Sequence, residues 1–314
     1  MSSALNAPHL QDEEVAYAWV EARLWPNGPV CPRCKGTERI KKLGGTSTRI
    51  GVHFCNPCRK PFTVKVGTIF ESSHIPLRLW LQAIALLCAS KKGMSSNQLH
   101  RTLGITLKSA WFLSHRIREA MTGGALTMLG EGGKIVEADE TYFGDKAEVT
   151  KRTIRGKSAH GSKRSVVALV ERGGEVRTFH VENADKATIN KIVDANVSRE
   201  ARLHTDESRL YGDAKGKVAA HERVKHSAGE YVRGPKGPNR IHTNTAEGVF
   251  SIFKRGMKGV YQHCGEKHLH RYLAEFDFRY NARVALGVND AARAERALCG
   301  VVGKRLTYRT TDQG

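Results

Sequence analysis

Val136-Glu137-Ala138-Asp139-Glu140-Thr141-Tyr142-Phe143-Gly144 decides how the second half of the chain folds. Ile135–Phe143 is β-branched, aromatic and alternating enough to read as a strand, and it carries Asp139 near its end. Outward from it the strand signals continue. Ser165–Glu171 and Glu175–Val181 flank Gly173-Gly174 and read as a hairpin. Ala184–Val197 has the helical period, Ala201–Asp206 reads as a short strand, Ser208–Ala219 as a helix and Glu222–His226 as a last strand. A Gly/Pro-rich loop, Gly229–Arg240, leads to a long helix from about Thr245 to Lys258, then to helical segments at 266–284 and 290–299. Strand, hairpin, helix, strand, helix, strand, helix is a mixed α/β layer with helices on a sheet.

Upstream the pattern differs. Residues 11–25 read as a short amphipathic helix stopped by Pro26-Asn27-Gly28-Pro29. Pro76 starts an apolar helix over 77–91, Ser95 or Ser96 caps one over 95–103, and Thr106 caps one reaching about Met121. Glycines at 123, 124, 130, 132 and 133 mark a linker and a domain boundary. The expected organisation is an N-terminal helix in 1–29, a zinc ribbon in 30–70, a helix-turn-helix region in 71–123, an α/β domain in 134–284, and a C-terminal helix and tail in 285–314.

The 314 residues are 40% hydrophobic and 26% charged, enough to bury a core and not globally disordered. Lys and Arg outnumber Asp and Glu by 51 to 31, a net charge of +20, which points to a polyanion, nucleic acid first. A merely basic or ribosome-associated protein fits the charge as well. Met1–Glu14 lacks the basic-then-apolar form of a secretory signal. The longest apolar run, Leu77–Ala89, is too short for a bilayer, which needs about 20 residues. The expected location is the cytoplasm, on the nucleoid when DNA is bound, with no membrane partner. There the seven cysteines stay reduced, and paired ones suggest metal rather than disulfides.

Cys31-Pro-Arg-Cys34 and Cys55-Asn-Pro-Cys58 are two such pairs, separated by 20 residues. Four soft thiolates close a tetrahedron around Zn²⁺ and leave no open position, so the zinc is expected to be structural. Cys88 and Cys299 sit in apolar stretches and read as packing residues; Cys264 is assigned nothing. In 95–116 the spacing suits a helix-turn-helix around Gly104. Leu99, Leu103, Ile105, Ala110 and Leu113 would form its core, and Lys108, Ser109, Phe112, His115 and Arg116 an outer face for the major groove. His100 and His115 are expected to be solvated or against phosphate. Helical hairpins with a Gly turn also occur in proteins that bind nothing.

Asp139, Asp206 in Leu203-His204-Thr205-Asp206-Glu207, and Glu247 in Asn244-Thr245-Ala246-Glu247-Gly248 are carboxylates that two strand ends and one helix can bring together. Lys254 lies seven residues after Glu247, within about 20° of the same helix face, with Asn244 and Ser251 beside them. Phosphoryl transfer without a covalent intermediate uses two divalent cations, and hard Mg²⁺ prefers carboxylate oxygens. Each acid alone also reads as a turn, solvated or first-turn residue. Gly248 inside a helix is unfavourable by about 1 kcal/mol against Ala and suggests close approach by something.

With these motifs in order, the chain resembles the bacterial insertion-sequence transposases that carry an N-terminal zinc ribbon and a DDE catalytic domain. The resemblance runs from about residue 12 to 284. It rests on Cys31–Cys58 continuing into Lys60–Glu71, on Glu137–Gly144, on Thr205-Asp206-Glu207 and on His226-Ser227-Ala228-Gly229-Glu230-Tyr231. Asn244–Gly256, His268–Leu273 and Phe278-Arg279-Tyr280-Asn281 complete it. It implies an RNase H-like α/β catalytic domain behind the ribbon and helix-turn-helix. It also implies strand cleavage and strand transfer on double-stranded DNA, at the transposon ends and the target. Asp139, Asp206 and Glu247 become ligands for two Mg²⁺ (or Mn²⁺) ions, with Lys254 as partner and Arg255 beside it on DNA. Some members carry Asn or His at the third position, so Asn244 competes with Glu247; Glu140 and Glu207 are adjacent competitors. Glu247 is preferred for its basic residue seven positions on. The basic stretches Lys146–Arg164 and Lys215–Arg240 would hold backbone, or are solvated charge. Two ends cut together imply at least a homodimer on DNA. A non-catalytic regulator derived from such an enzyme, or an RNA-associated zinc-ribbon protein, remains the alternative.

Overall fold

Asp12 ends α1 (Pro8–Gln11) and opens α2 (Glu13–Leu24) by accepting the Val15 amide at 2.9 Å. The next acid reaches across the fold. Glu13 accepts the Leu77 and Arg78 amides at 2.6 and 3.0 Å, supplying the cap that Pro76 cannot give to α3 (Leu77–Ala89). Between these helices lies a three-stranded antiparallel sheet of β1 (Ile40–Lys42), β2 (His53–Cys55) and β3 (Lys60–Phe62). Its apolar core is little more than Trp25, Ile40, Phe62, Val66 and the cysteines themselves. The computed structural model describes residues 4–123, 127–145 and 163–307. These fall into two units, Met1–Gly123 with Gly287–Gly314, and Gly124–Leu286.

In the first unit, α4 (Ser96–Leu103) is capped by Ser95 and α5 (Leu107–Met121) by Thr106, each hydroxyl accepting the amide three residues on at 3.2 Å. Gly104, at φ 65°, makes the left-handed turn between them, and Leu99, Leu103, Ala110 and Leu113 are buried along their seam. His100 is half-buried, and its Nδ1 is bonded to the Ile105 carbonyl across the turn.

The second unit is built on a five-stranded sheet in the order β6-β5-β4-β7-β8. Its strands are β4 (Ile135–Asp145), β5 (Lys163–Glu171), β6 (Val176–Val181), β7 (Arg202–Thr205) and β8 (Ala220–Arg223). The hairpin expected at Gly173-Gly174 joins β5 to β6. β4 runs antiparallel to β5 and parallel to β7, and β8 is parallel to β7 at the edge. One face packs on α6 (Lys186–Asn196) through Val136, Ala138, Val167, Leu169, Ile189 and Val193. The other packs on α7 (Asn244–Gly256) and α8 (Leu269–Asn281) through Val166, Ala168, Val170, Phe250, Phe253 and Leu273. Gly130, at φ 83°, lets its turn close on the sheet, because a Cβ there would run into Ala201 and stand 2.9 Å from Val136 Cγ2.

Several expected elements are trimmed. Ser208–Ala219 forms only a short turn of helix, Arg209–Ala214, with Gly216 following at φ 91°. The long helix ends as α at Gly256 and widens into the turn Met257–Tyr261. Tyr261 is tied to buried Glu275 of α8 at 2.5 Å, and Glu275 also pairs with Arg279. Asn281, the last residue of that motif, accepts the Val176 amide at 2.7 Å and donates to its carbonyl at 2.9 Å, closing the exposed edge of β6.

The C-terminal helix α9 (Asp290–Cys299) returns to the first unit and packs on α3 and α5. Arg293 donates to the Cys88 carbonyl at 2.7 Å, and Gly300 lies against Ala120 where no side chain fits. The helix expected within 285–314 is α9, and it packs in the helical core of the first unit. Cys88 is buried as expected, but Cys299 is exposed at the end of α9 rather than packed.

Candidate functional site

In the first unit the four ribbon cysteines come together. Their sulfurs lie within 4.8 Å of one another, with Cys31–Cys58 at 3.9 Å and Cys34–Cys55 at 3.7 Å. A tetrahedron with Zn–S bonds of about 2.3 Å has an edge of about 3.8 Å, so the spacing fits zinc. Each knuckle turns at the residue after its second cysteine: Lys35 and Arg59 take φ 61° and 52°, and the Lys35 amide bonds back to the Cys31 carbonyl at 2.9 Å. Burial resists ionisation at Cys31, but the Cys34 and Arg33 amides and neighbouring thiols outweigh it and bring Cys31 down to about 6. Cys58 is pushed up to about 12 by its hydrogen bonds to the other thiols and by desolvation. Four thiols at tetrahedral spacing, with the ionised form of Cys31 favoured, suit a soft metal.

The expected outer face of α5 is corrected. Lys108 is exposed and Ser109 half-buried, yet His115 and Arg116 are buried. The Arg116 guanidinium donates to the carbonyls of Ile69 (2.7 Å), Glu71 (2.8 Å) and Leu306 (3.0 Å), and its ring neighbour is Phe112. It is spent on backbone inside the unit and cannot meet a groove. From Leu113 to Arg118 every residue of α5 is buried, while Leu107 and Lys108 in its first turn are exposed.

In the second unit β4 and β7 pair Ile135 with Arg202 and Glu137 with His204; two residues beyond that last pair, Asp139 lies midway along β4 and Asp206 just past the end of β7. Asp139 lies opposite Ala168 of β5, on the face that carries α7. Glu140 points to the other face, where its carboxylate accepts the buried Tyr211 hydroxyl at 2.8 Å. Glu207 is engaged by the Ser227 amide at 3.0 Å. Both adjacent competitors thus have partners of their own.

A cleft of about 800 Å³ is lined by Asp139, Thr141, Glu247, Ser251, Lys254, Arg255 and Lys258, with Glu140, Phe250 and Gly259. Glu247, Ser251 and Lys254 enter it from one face of α7, as their spacing requires. Asn244, on the same face in sequence terms, is exposed at the start of α7 and does not line the cleft. Asp206 does not line it either, but its charge reaches in. Burial, then the charges of Glu140, Asp206 and Glu247, push the Asp139 carboxyl up to about 7, against the Glu140 amide that bonds to it at 2.8 Å. Burial likewise raises Glu140, with Asp206 adding to it. Among the described residues only the cysteines form a group of three or more metal-ligating side chains within 4.8 Å; the carboxylates stand further apart. Gly248 is exposed with open space where a Cβ would be, so nothing in the chain requires a glycine there.

Sequence reasoning missed Glu137, which is fully buried. Its carboxylate accepts the Thr245 and Ala246 amides at 2.8 and 3.1 Å and the Thr245 hydroxyl at 2.8 Å, and so caps α7 from the central strand. Arg172 pairs with it at 2.7 Å and also donates to the carbonyls of Pro238 and Arg240 at 2.9 and 2.8 Å, drawing in the loop that precedes α7. The chain of contacts continues from Arg172 to His204, from His204 to Glu222 at 3.0 Å, and from Glu222 to Arg202 at 2.9 Å. Burial and the Arg172 charge keep His204 and His242 below their usual range, so the cations of this network are the arginines. The signal was present: Glu137 is a charge at an inward position, two residues before Asp139 on the same strand face.

Of the expected basic segments, 146–162 lie outside the described residues. In the other, Lys217 is paired with Asp194 at 2.8 Å and Arg233 with Glu230 at 3.7 Å. No helix among the described residues is long and apolar enough to cross a membrane.

Two family models match this chain. Residues 11–61 match the transposase zinc-ribbon domain, and residues 129–281 match the ISXO2-like transposase domain. Together the matches take in more than half of the chain. A protein of the transposable element ISH50 of Halobacterium salinarum, itself uncharacterised, is 26% identical over 268 residues, covering 81% of this chain and 86% of its own.

Proposed function

From the premise that this chain belongs to the insertion-sequence transposases with a zinc ribbon and a DDE-type domain, we propose that it cleaves double-stranded DNA at transposon ends and joins the freed end to target DNA. The observation that carries the reading is the cleft shared by Asp139 of β4 with Glu247 and Lys254 of α7; the pairing of Glu137 with His204, two residues short of Asp139 and Asp206, supports Asp206 as the third acid. A sheet order of 3-2-1-4-5 with its second strand antiparallel supports an RNase H-like catalytic domain.

The donor set suits a hard divalent cation: three carboxylates, of which Asp139 is held up to about 7 by burial and by the other acids, gain from positive charge among them. Asp139, Asp206 and Glu247 would hold Mg²⁺ or Mn²⁺, which when bound supplies an activated attacking oxygen and neutralises charge on the leaving one. The chain's own residues do the rest. Lys254, Arg255 and Lys258 line the same cleft and bind the phosphates of the strand. Glu137 and Arg172 fix the angle of α7, so Glu247 and Lys254 keep their places when DNA enters. Water cleaves the phosphodiester at the element end, leaving a 3′-hydroxyl, and that hydroxyl then attacks a target phosphodiester in line. The four cysteines hold a structural zinc, and the ribbon with the first turn of α5, including Lys108, meets the end sequence. Two ends processed together call for at least a dimer on DNA.

The test uses duplexes carrying the terminal repeats that border the coding region, with Mg²⁺ or Mn²⁺. Asp139→Asn and Asp206→Asn are expected to abolish cleavage while keeping DNA affinity. Cleavage by either variant at the wild-type rate would remove the site assignment. A zinc-dependent binder that never cuts DNA with the wild-type sequence would leave a regulator as the function.

A further inference from the structure

The motif His226-Ser227-Ala228-Gly229-Glu230-Tyr231 has no part in the cleft described above, yet it stands beside it. His226 Nε2 lies 3.8 Å from Glu247 Oε1. That nitrogen is shielded from solvent and has no hydrogen-bond partner among the described residues. The Tyr231 ring rests against the imidazole at 5.2 Å between centroids, tilted by 37°. Its outer side is open: Tyr231 is 60% exposed, a high value for an aromatic residue next to a site of chemistry.

The loop is built to hold the ring there. The Ser227 amide is anchored on Glu207, next to Asp206. Gly229 turns at φ 73°, and the Glu230 amide bonds to the Lys225 carbonyl at 3.0 Å. Arg233 and Ile241 exchange backbone hydrogen bonds at 2.9 and 3.0 Å across the base of the following segment. Leaving an aromatic face open on a restrained loop forgoes the burial that ring would otherwise gain. The surroundings favour an anionic, π-faced ligand, since Lys225, Arg233, Lys236 and Arg240 flank the ring in sequence.

We propose that the Tyr231–His226 pair is a stacking platform for one unpaired nucleobase of the DNA strand whose phosphate lies in the cleft. The proposal rests on the DNA-processing reading given above and adds a ligand to it. Through His226, the ring is on the order of 10 Å from Glu247, about three base steps at 3.4 Å each, so the base is one close to the phosphate being cut. Stacking on an open ring is tolerant of sequence and needs the base out of the duplex, which a strand end can supply. His226 supports the ring from beneath and is a positioning residue for Tyr231.

Binding separates this from cleavage. The full-length protein is titrated, without divalent cation, with a fluorescent single-stranded oligothymidylate about twelve nucleotides long and with an abasic strand of the same length and charge. The wild-type chain is expected to prefer the strand with bases. Tyr231→Ala should lower affinity for that strand by roughly 5- to 100-fold and leave affinity for the abasic strand unchanged. Tyr231→Phe and Tyr231→Trp should keep the preference, and Tyr231→Leu should not. The proposal is overturned if Tyr231→Ala keeps the preference, if Phe fails as badly as Ala, or if wild type does not distinguish the strands. Since no cleavage is read, a chain that stacks bases but never cuts DNA would count against the enzymatic reading and not against the platform.

Discussion

Asp139→Asn should stabilise the metal-free protein at alkaline pH. Asp139 is held up to about 7, against 3.8 for a free side chain, first by burial and then by the charges of Glu140, Asp206 and Glu247. A carboxyl that binds its proton more tightly when folded favours folding fully below the unfolded value. That contribution is lost as pH rises through the folded value, here from about 4 to about 7. Above it, the ionised group opposes folding by about 4 kcal/mol at most, from roughly three units at 1.36 kcal/mol each. Asparagine removes the charge and keeps an oxygen for the Glu140 amide. For a unit of this size, 1 kcal/mol moves Tm by about 2–4 °C. The variant should therefore melt up to about 16 °C above wild type near pH 8 and level with it below about pH 4. Adding Mg²⁺ should raise the wild-type Tm and move the variant little. The assay is thermal unfolding of both proteins across pH, in chelator and in excess Mg²⁺. A variant less stable than wild type at pH 8, or a difference that ignores pH, would refute the reasoning.

Other consequences concern residues away from the carboxylates. Glu137→Ala strips the α7 cap and leaves Arg172 without its anion, and denaturant unfolding should show a loss of about 3–5 kcal/mol. Glu137→Gln should keep the fold but raise the Mg²⁺ concentration needed for half-maximal cleavage, because α7 loses its charged anchor. Removing zinc with a strong chelator should unfold the ribbon, whose apolar core is too small to stand alone; loss of its tryptophan signal with retention of sheet circular dichroism would report this. Arg116→Ala should destabilise the first unit by about 2–4 kcal/mol, since the buried Ile69 carbonyl and the part-buried Glu71 and Leu306 carbonyls lose their donor. Lys108→Ala should weaken DNA binding and reduce its salt slope by about one.

The sequence was most legible where chemistry repeats locally. The two C-x₂-C knuckles, the caps Ser95 and Thr106 and the Gly173-Gly174 hairpin need only near neighbours, and each is where its spacing put it. Helix faces were less legible. The α5 periodicity marks Ala110 and Leu113 as core, but it does not reveal that α9 returns from the far end of the chain or that Arg116 is consumed by three carbonyls. A charge on a helix reads as surface until its partners are known. Glu137 was hidden for the same reason: its value lies in amides 108 and 109 residues away. That Glu247 lines the cleft and Asn244 does not depends on where α7 docks, and the sequence held only the helical spacing.

The most direct measurement is to map where a bound cation sits. Fe²⁺ substituted for Mg²⁺, with ascorbate and peroxide, cuts the polypeptide backbone beside its ligands. Cuts are expected near Asp139, near Asp206 and at the start of α7 near Glu247, all suppressed by excess Mg²⁺. Any cuts near Cys31–Cys58 should instead be suppressed by Zn²⁺. Cleavage at only one of the three acidic positions, or Mg²⁺-sensitive cleavage elsewhere, would contradict a shared metal site and with it the proposed chemistry.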